Sequence, residues 1–276
     1  MNKSVLITGA SSGIGKDTAK LLLRKGYTVY GASRRIEKMK DIEALGVRLL
    51  EMDVTKDESI VDGMNKIIEE TRRIDILINN AGYGSYGALE DVPLSEGKYQ
   101  FEVNVFGMAR LCQLAIPYMR QQKSGKIVNV SSIGGEAGEP HGSWYHATKY
   151  AVEGLSDSIR MELKQFGIDV VVIQPGAIKT EWNTIARENL VKISGNTAYG
   201  EMVQKHAKFL KSADEGSMAS EPIVIAKAIS KAIEAKNPKT RYAVGGGAKI
   251  AKFMRSILSD KMHDKMMLGF INRQKA

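Results

Sequence analysis

Ser4-Val-Leu-Ile-Thr-Gly-Ala-Ser-Ser-Gly-Ile-Gly15 begins as a short apolar run and ends in a glycine cluster. Ser4 to Thr8 reads as a buried strand. A helical pattern runs from Gly13 to Lys25 and closes on Gly26 as a C-cap. Strand, glycine loop and helix N-terminus in that order make an anion cradle. The glycines let the backbone pass close to a pyrophosphate, and the free N–H groups and dipole of the helix favour negative charge. The spacing is G-x-x-x-G-x-G, and its strand-loop-helix setting gives it a meaning that glycines alone lack. Gly9, Ser11, Ser12, Gly13, Ile14 and Gly15 are therefore the candidate dinucleotide-phosphate residues.

Working outward, the same alternation repeats. Further strands are expected at 28–32, 47–52, 74–79, 127–130 and 169–174, with helices near 35–45, 57–72, 95–122 and 145–166. Near-continuous Val/Ile/Leu strands separated by helices imply a parallel sheet covered on both faces by right-handed crossovers. The expected fold is a doubly wound α/β (Rossmann) sheet in a single domain over 1–276. Past Gly176 the alternation loosens. Residues 181–218, with Asn183, Asn189, Asn196, Met202 and Met218, read as short helices on a mobile substrate-binding segment. Pro222 suits a first helical turn, with the helix running to Lys236. Arg241 to Val244 looks like a last strand, followed by Gly245-Gly-Gly247. From 248 to 276 a basic amphipathic tail carries Ile250, Phe253, Met254, Ile257 and Leu258 at helical spacing, a stripe expected to dock on the domain.

Composition narrows the function classes. The 276 residues are 43% hydrophobic and 26% charged, enough for one large core. The single cysteine, Cys112, lies in an apolar run and reads as a core residue, not a nucleophile. No CxxC or Cys/His cluster suggests a metal site. No signal-peptide pattern and no spanning apolar stretch is visible, so a cytoplasmic protein is expected. The net charge is +9, and five of those charges lie between Lys249 and Ala276. For that tail, docking on the domain is favoured over self-association and over contact with an anionic membrane surface. A nucleic-acid role has only the net charge behind it, with no recognisable module.

Cofactor preference is read at the end of the second strand. A carboxylate there usually holds the ribose hydroxyls of NAD. Ala32-Ser33-Arg34-Arg35 offers none. A guanidinium fork suits a 2′-phosphate, so NADP(H) is expected, with Arg34 as the main contact and Ser33 and Arg35 assisting; NAD(H) is the less favoured alternative.

Tyr145-His-Ala-Thr-Lys149 places a phenol and an ammonium one helical turn apart. The cation is expected to favour phenolate and so make Tyr145 a general acid/base. Ser131-Ser132 follows the strand at 127–130, at the carboxyl edge where such sheets bind ligands.

With these residues in view, the chain resembles the classical short-chain dehydrogenase/reductase family over about residues 3–182. The matching pieces are Thr8-Gly9-x-x-x-Gly13-x-Gly15, Asp53-Val54, Asn79-Asn80-Ala81-Gly82, Asn104, Ser132, Tyr145-x-x-x-Lys149, and Pro175-Gly176 with Thr180. The resemblance implies hydride transfer between nicotinamide and a carbonyl/alcohol pair. It implies that Ser132 orients the carbonyl oxygen and that Tyr145 protonates it. Lys149 would hold the nicotinamide ribose, and Asn104 would bend its helix and hold a water. Asp53 and Val54 would meet adenine, and Asn80, beside Ala81 and Gly82, the adenosine-side ribose region. Pro175, Gly176, Ile178 and Thr180 would hold the carboxamide. A homodimer or homotetramer on helices near 105–122 and 150–165 is also implied, as is a small-molecule carbonyl or alcohol substrate. The stretch Tyr150 to Leu163 is similar to that of the hydroxysteroid and retinol dehydrogenase branch, which favours a bulky apolar substrate. His141 and His146 read as structural or surface residues. Trp144 and Trp182 read as either pocket walls or core. The rival class is an inactive NADP(H)-binding sensor of the same fold.

Overall fold

The structure, a computed structural model, describes residues 2–216 and 219–274. Met218, from the expected substrate segment, and Lys275 and Ala276, from the tail, lie outside the described residues.

Seven parallel strands form one sheet in the order β3-β2-β1-β4-β5-β6-β7. They are β1 (Ser4–Thr8), β2 (Thr28–Ser33), β3 (Arg48–Glu51), β4 (Ile76–Asn79), β5 (Gly125–Val130), β6 (Ile168–Pro175) and β7 (Arg241–Val244). This is the doubly wound fold read from the alternation. The order reverses between β1 and β4, which opens a crevice at the carboxyl ends of those strands.

Two apolar layers sandwich the sheet. Val5 and Ile7 of β1 point to one face, where α1 (Gly13–Arg24) and α9 (Pro222–Glu234) bring Ala19, Leu22, Ile225 and Ile229. Leu6, between them, points to the other face. There α3 (Asp57–Thr71) and α5 (Gly107–Gln122) bring Ile60, Met64, Leu111 and Ala115. Period-two side chains buried on both faces leave no polar alternation in these strands. Cys112 sits in the second layer, and burial pushes its thiol up to about 12.

Several expected elements are corrected. The helix at 35–45 is a 3-10 turn (Ile36–Met39) followed by the short α2 (Lys40–Glu43). The helix at 95–122 is α4 (Leu94–Phe101), a π-helical turn (Glu102–Phe106) and then α5. The long helix α6 (Ser143–Leu163) tightens into a 3-10 turn ending at Phe166. The substrate segment forms two helices of 14 and 16 residues, α7 (Glu181–Ser194) and α8 (Gly200–Glu215). Leu190 and Val203 are fully buried in a cluster with Tyr86 and Tyr145, which gives these polar sequences the packing that stabilises them.

The tail forms α10 (Ala248–Ile257) and α11 (Asp260–Asn272). It docks, but not through the expected stripe. Ile250, Phe253 and Ile257 are 68%, 62% and 58% exposed. Ala248, His263 and Ile271 are buried instead, and Lys252 reaches inward to Glu136 and Gln174. Ile250, Phe253 and Ile257 of the expected stripe thus face outward, while its Met254 and Leu258 are half-buried.

Candidate active site

The phosphate loop joins β1 to α1. Gly9 has φ +68°, and a Cβ there would lie 2.9 Å from Asn80 Nδ2. A Cβ on Gly15 would lie 2.3 Å from the Gly9 carbonyl oxygen. Only glycine fits either place. Asn80 braces this loop: its Nδ2 donates to the carbonyls of Thr8 (2.9 Å) and Gly9 (3.3 Å). The amides of Asn80 and Ala81 donate to Thr8 Oγ1, both at 3.0 Å. The Asn80 amide group thus serves the loop rather than reaching out toward a ribose. Ser12 caps α1 without a side-chain bond, and the first turn carries no acid. Its free N–H groups fit an anionic diphosphate.

The two arginines divide. Arg34 donates from Nη1 to the Tyr99 hydroxyl at 2.8 Å. Arg35 turns over the phosphate loop, donating from Nη2 to Ser11 Oγ (3.0 Å) and Ser12 Oγ (3.4 Å). Its backbone amide donates to Ser33 Oγ at 3.1 Å. Glu181, at the start of α7, pairs with both Arg35 and Lys38 at 3.3 Å. Asp53 accepts from the Thr55 amide and hydroxyl; partial burial raises its pKa, but these bonds and nearby Arg34 outweigh it and hold the carboxyl below its usual value. Val54 packs against the start of α5, where a Cβ on Gly107 would meet the Val54 carbonyl at 2.3 Å.

Ser132, Tyr145 and Lys149 converge beyond the end of β5. Tyr145 is buried and hydrogen-bonded to Ser132. Ser132 Oγ also accepts from the Gly134 amide at 3.0 Å. Lys149 Nζ lies 5.8 Å from the centre of the Tyr145 ring and donates to the Val130 carbonyl at 3.0 Å. The expectation that Lys149 depresses the Tyr145 pKa is corrected. Burial pushes the phenol up to about 12, with only the Ser132 bond pulling it down. Burial lowers Lys149 to about 8, opposed by Glu153.

Asn104 sits in the π-helical turn, the bend expected of it. Its Nδ2 donates to Tyr83 O (2.8 Å) and to Thr148 Oγ1 (2.9 Å), and its Oδ1 accepts from the Tyr83 amide (2.8 Å). Thr148 in turn donates to the Tyr145 carbonyl at 2.7 Å. Thr148, missed in the sequence, thus links the bend to the catalytic turn. Gly82 keeps the space between Asn104 and Lys149 open: its absent Cβ would lie 3.7 Å from Asn104 Oδ1 and 3.9 Å from Lys149 Nζ.

The loop from Pro175 runs under α7. The Gly176 amide donates to the Val244 carbonyl at 2.9 Å, and the buried Ile178 accepts from Asn183 through its carbonyl. Thr180 caps α7 and approaches the phosphate loop, 3.1 Å from where a Gly13 Cβ would stand. Trp182 lies on Tyr145, with ring centres 4.7 Å apart, and also on Tyr86 at 6.1 Å. Residues 180, 181 and 182 therefore approach the phosphate loop, Arg35 and Tyr145 in turn. Trp144 is directed elsewhere, against Gly97 and Phe101.

His146 is structural. Its Nδ1 bonds the Gly134 carbonyl at 2.9 Å and its Nε2 accepts from the Glu139 amide at 3.2 Å. His141 and the buried His206 meet at 2.9 Å, under Tyr86, which donates to Glu139. Tyr86 and His206 had no sequence signal beyond being polar aromatic residues in a loop and a helix. Among the described residues, no group of three or more His, Cys, Asp and Glu is placed to hold a metal ion.

The short chain dehydrogenase family model matches residues 3–190. The chain belongs to that family. This short-chain dehydrogenase is 40% identical to a 3-ketodihydrosphingosine reductase of Bacteroides thetaiotaomicron, over 87% of each chain. It is 34% identical to an NADPH-dependent 3-dehydrocapnine reductase of Ornithobacterium rhinotracheale, covering 95% of this chain and 94% of the relative. Among solved structures it is similar to a short-chain dehydrogenase from Streptomyces avermitilis, with a TM-score of 0.80, 32% identity and 93% of each chain covered. It is also similar to ElxO with NADP bound, with a TM-score of 0.74 and 31% identity, over 91% of this chain and all of that one.

Proposed function

We propose that this oxidoreductase uses NADPH to reduce the ketone of a bulky, apolar substrate to an alcohol. The observation that carries this reading is the wall beside Tyr145. Tyr86, Ala186, Leu190, Val203 and Ala207 are buried together with Tyr145, and Trp182 lies over its ring. These side chains pack on one another in the structure, so the nearest neighbours of the phenol are apolar, which supports an apolar group on the substrate beside it. The Bacteroides and Ornithobacterium relatives are each named for reduction of a 3-keto or 3-dehydro compound.

The nicotinamide, when bound, supplies the hydride. The chain's own residues handle the oxygen and the proton. The Ser132 hydroxyl orients the carbonyl oxygen. Tyr145, kept protonated by burial, donates its proton to that oxygen as charge develops there. Lys149 stays cationic below about pH 8 and faces the same space as Gly82 and Asn104, where it would hold ribose hydroxyls. The Asn104–Thr148–Tyr145 chain fixes the turn that presents the phenol. Ser11, Ser12 and Arg35, with Arg34 beside them, form a cationic and hydroxyl-rich corner suited to a 2′-phosphate, which favours NADPH over NADH.

The test is NADPH and NADH oxidation with 3-ketodihydrosphingosine, a long-chain amino ketone, against short ketones and aldehydes. The expected result is turnover with NADPH that rises with the size of the apolar group. Tight NADPH binding without turnover on any carbonyl compound would overturn the enzyme reading in favour of a sensor.

A further inference from the structure

We infer that the outward face of α10 and α11 docks on an anionic membrane surface. Ile250, Phe253 and Ile257 are spaced i, i+3 and i+7, so they share one face of α10, and that face is open. Met262 and Phe270 of α11 are 58% and 43% exposed. Lys249 precedes Ile250 on α10, and the exposed Lys261, Lys265 and Arg273 alternate with Met262 and Phe270 along α11 and its end; no ion pair engages any of the four among the described residues. The other cations of the tail among the described residues are committed: Lys252 to Glu136, and Arg255 to Asp260. Large exposed apolar groups mark an interaction surface. Interleaved with free lysines on amphipathic helices, they suit the boundary between headgroups and acyl chains of an anionic bilayer.

Charge argues for lipid over a second copy. A two-fold contact sets the same patch against itself and would oppose these cations to one another. Anionic headgroups would neutralise them. No helix among the described residues is long and apolar enough to cross a membrane, so contact would be superficial. The position is also apt. α10 lies against the Ile133–Gly135 turn that follows Ser132, and α11 lies against α8. A bilayer on this face would sit beside the substrate helices.

The full chain would be floated through a density gradient with vesicles of phosphatidylcholine alone, or with one third phosphatidylglycerol. The protein is expected to rise with the anionic vesicles, to stay down with the neutral ones, and to be released by high salt. The pairs Phe253→Asp with Ile257→Asp, and Lys261→Glu with Lys265→Glu, should each cut the floated fraction roughly tenfold or more. These side chains point outward, so the circular dichroism and melting temperature of both variants should match the parent. Three results overturn the inference. One is no flotation of the parent with anionic vesicles. Another is equal flotation with neutral ones or with both variants. The last is a parent that does not float but loses self-association on Phe253→Asp with Ile257→Asp, which would assign the face to a second copy. The assay contains no substrate, so failure of the bulky-ketone reading leaves it intact.

Discussion

The glycine loop proposed for the cofactor and the cluster beside Tyr145 proposed for the substrate are held by different means. The phosphate loop is shaped by backbone: glycines at 9 and 15 with no room for a Cβ, and carbonyls tied down by Asn80. The wall beside Tyr145 is shaped by large side chains from distant elements, Tyr86 from a loop, Trp182 and Leu190 from α7, Val203 and His206 from α8. A backbone site tolerates almost no substitution but asks little of its surroundings. A side-chain wall can be recut while the chemistry beneath it stays the same. The short Thr180–Trp182 stretch is where the two meet.

The largest effects should come from breaking each side separately. Tyr145→Phe removes the proton donor and should lower kcat by about 100- to 10,000-fold. NADPH binding, followed by fluorescence titration, should stay within a few-fold. Gly15→Val does the reverse: the new side chain would collide with the Gly9 carbonyl, and NADPH affinity should fall by about 100-fold or more while the fold persists by circular dichroism. If Tyr145→Phe also abolished NADPH binding, the two sides would not be separable as described.

Trp182→Ala uncovers Tyr145 without touching the phosphate loop. KM for a bulky ketone should rise by roughly tenfold, with the NADPH constant unchanged. A smaller effect tests the junction. Glu181 occupies Arg35, so Glu181→Gln should free that guanidinium and tighten NADPH, but not NADH, by about two- to fivefold. Equal changes for both cofactors would place Arg35 away from the 2′-phosphate.

The last prediction concerns pH. Burial lowers Lys149 to about 8, so its cation is complete well below that value and lost above it. Burial keeps Tyr145 protonated to about 12. Reductive kcat/KM should therefore be flat from pH 6 to 7 and decline through about pH 8, by up to about tenfold per pH unit. A limb near pH 6 instead would point to a histidine. His146 holds the 133–139 turn through both its ring nitrogens.

Much of this was legible in order along the chain. β1, the glycine loop and α1 are contiguous, so local pattern and local function coincide in residues 4 to 25. Tyr145 and Lys149 were readable because one helical turn relates them. The sense of the Tyr145 pKa was not, because it is set by burial, and Tyr86 and Trp182, which lie against the ring, come from other parts of the chain. Arg35 crossing to Ser11, Glu181 meeting Arg35, and Thr148 joining Asn104 to Tyr145 all connect side chains far apart in sequence. The tail shows the same limit. Its helices were visible in the spacing of Ile250, Phe253 and Ile257, but which face turned inward depended on partners far away in sequence, such as Glu136 for Lys252 and α8 for α11.

By itself the sequence determined the parallel sheet, the glycine loop between β1 and α1 and the placing of Tyr145 and Lys149 one helical turn apart. Each follows from periodicity or from residues within one turn or one loop, where covalent geometry limits the outcomes. The tertiary structure alone decided what covers Tyr145, which arginine faces the loop and which side of α10 meets solvent. These depend on packing and on ion pairs between distant segments, whose free energies exist only once the chain has brought them together.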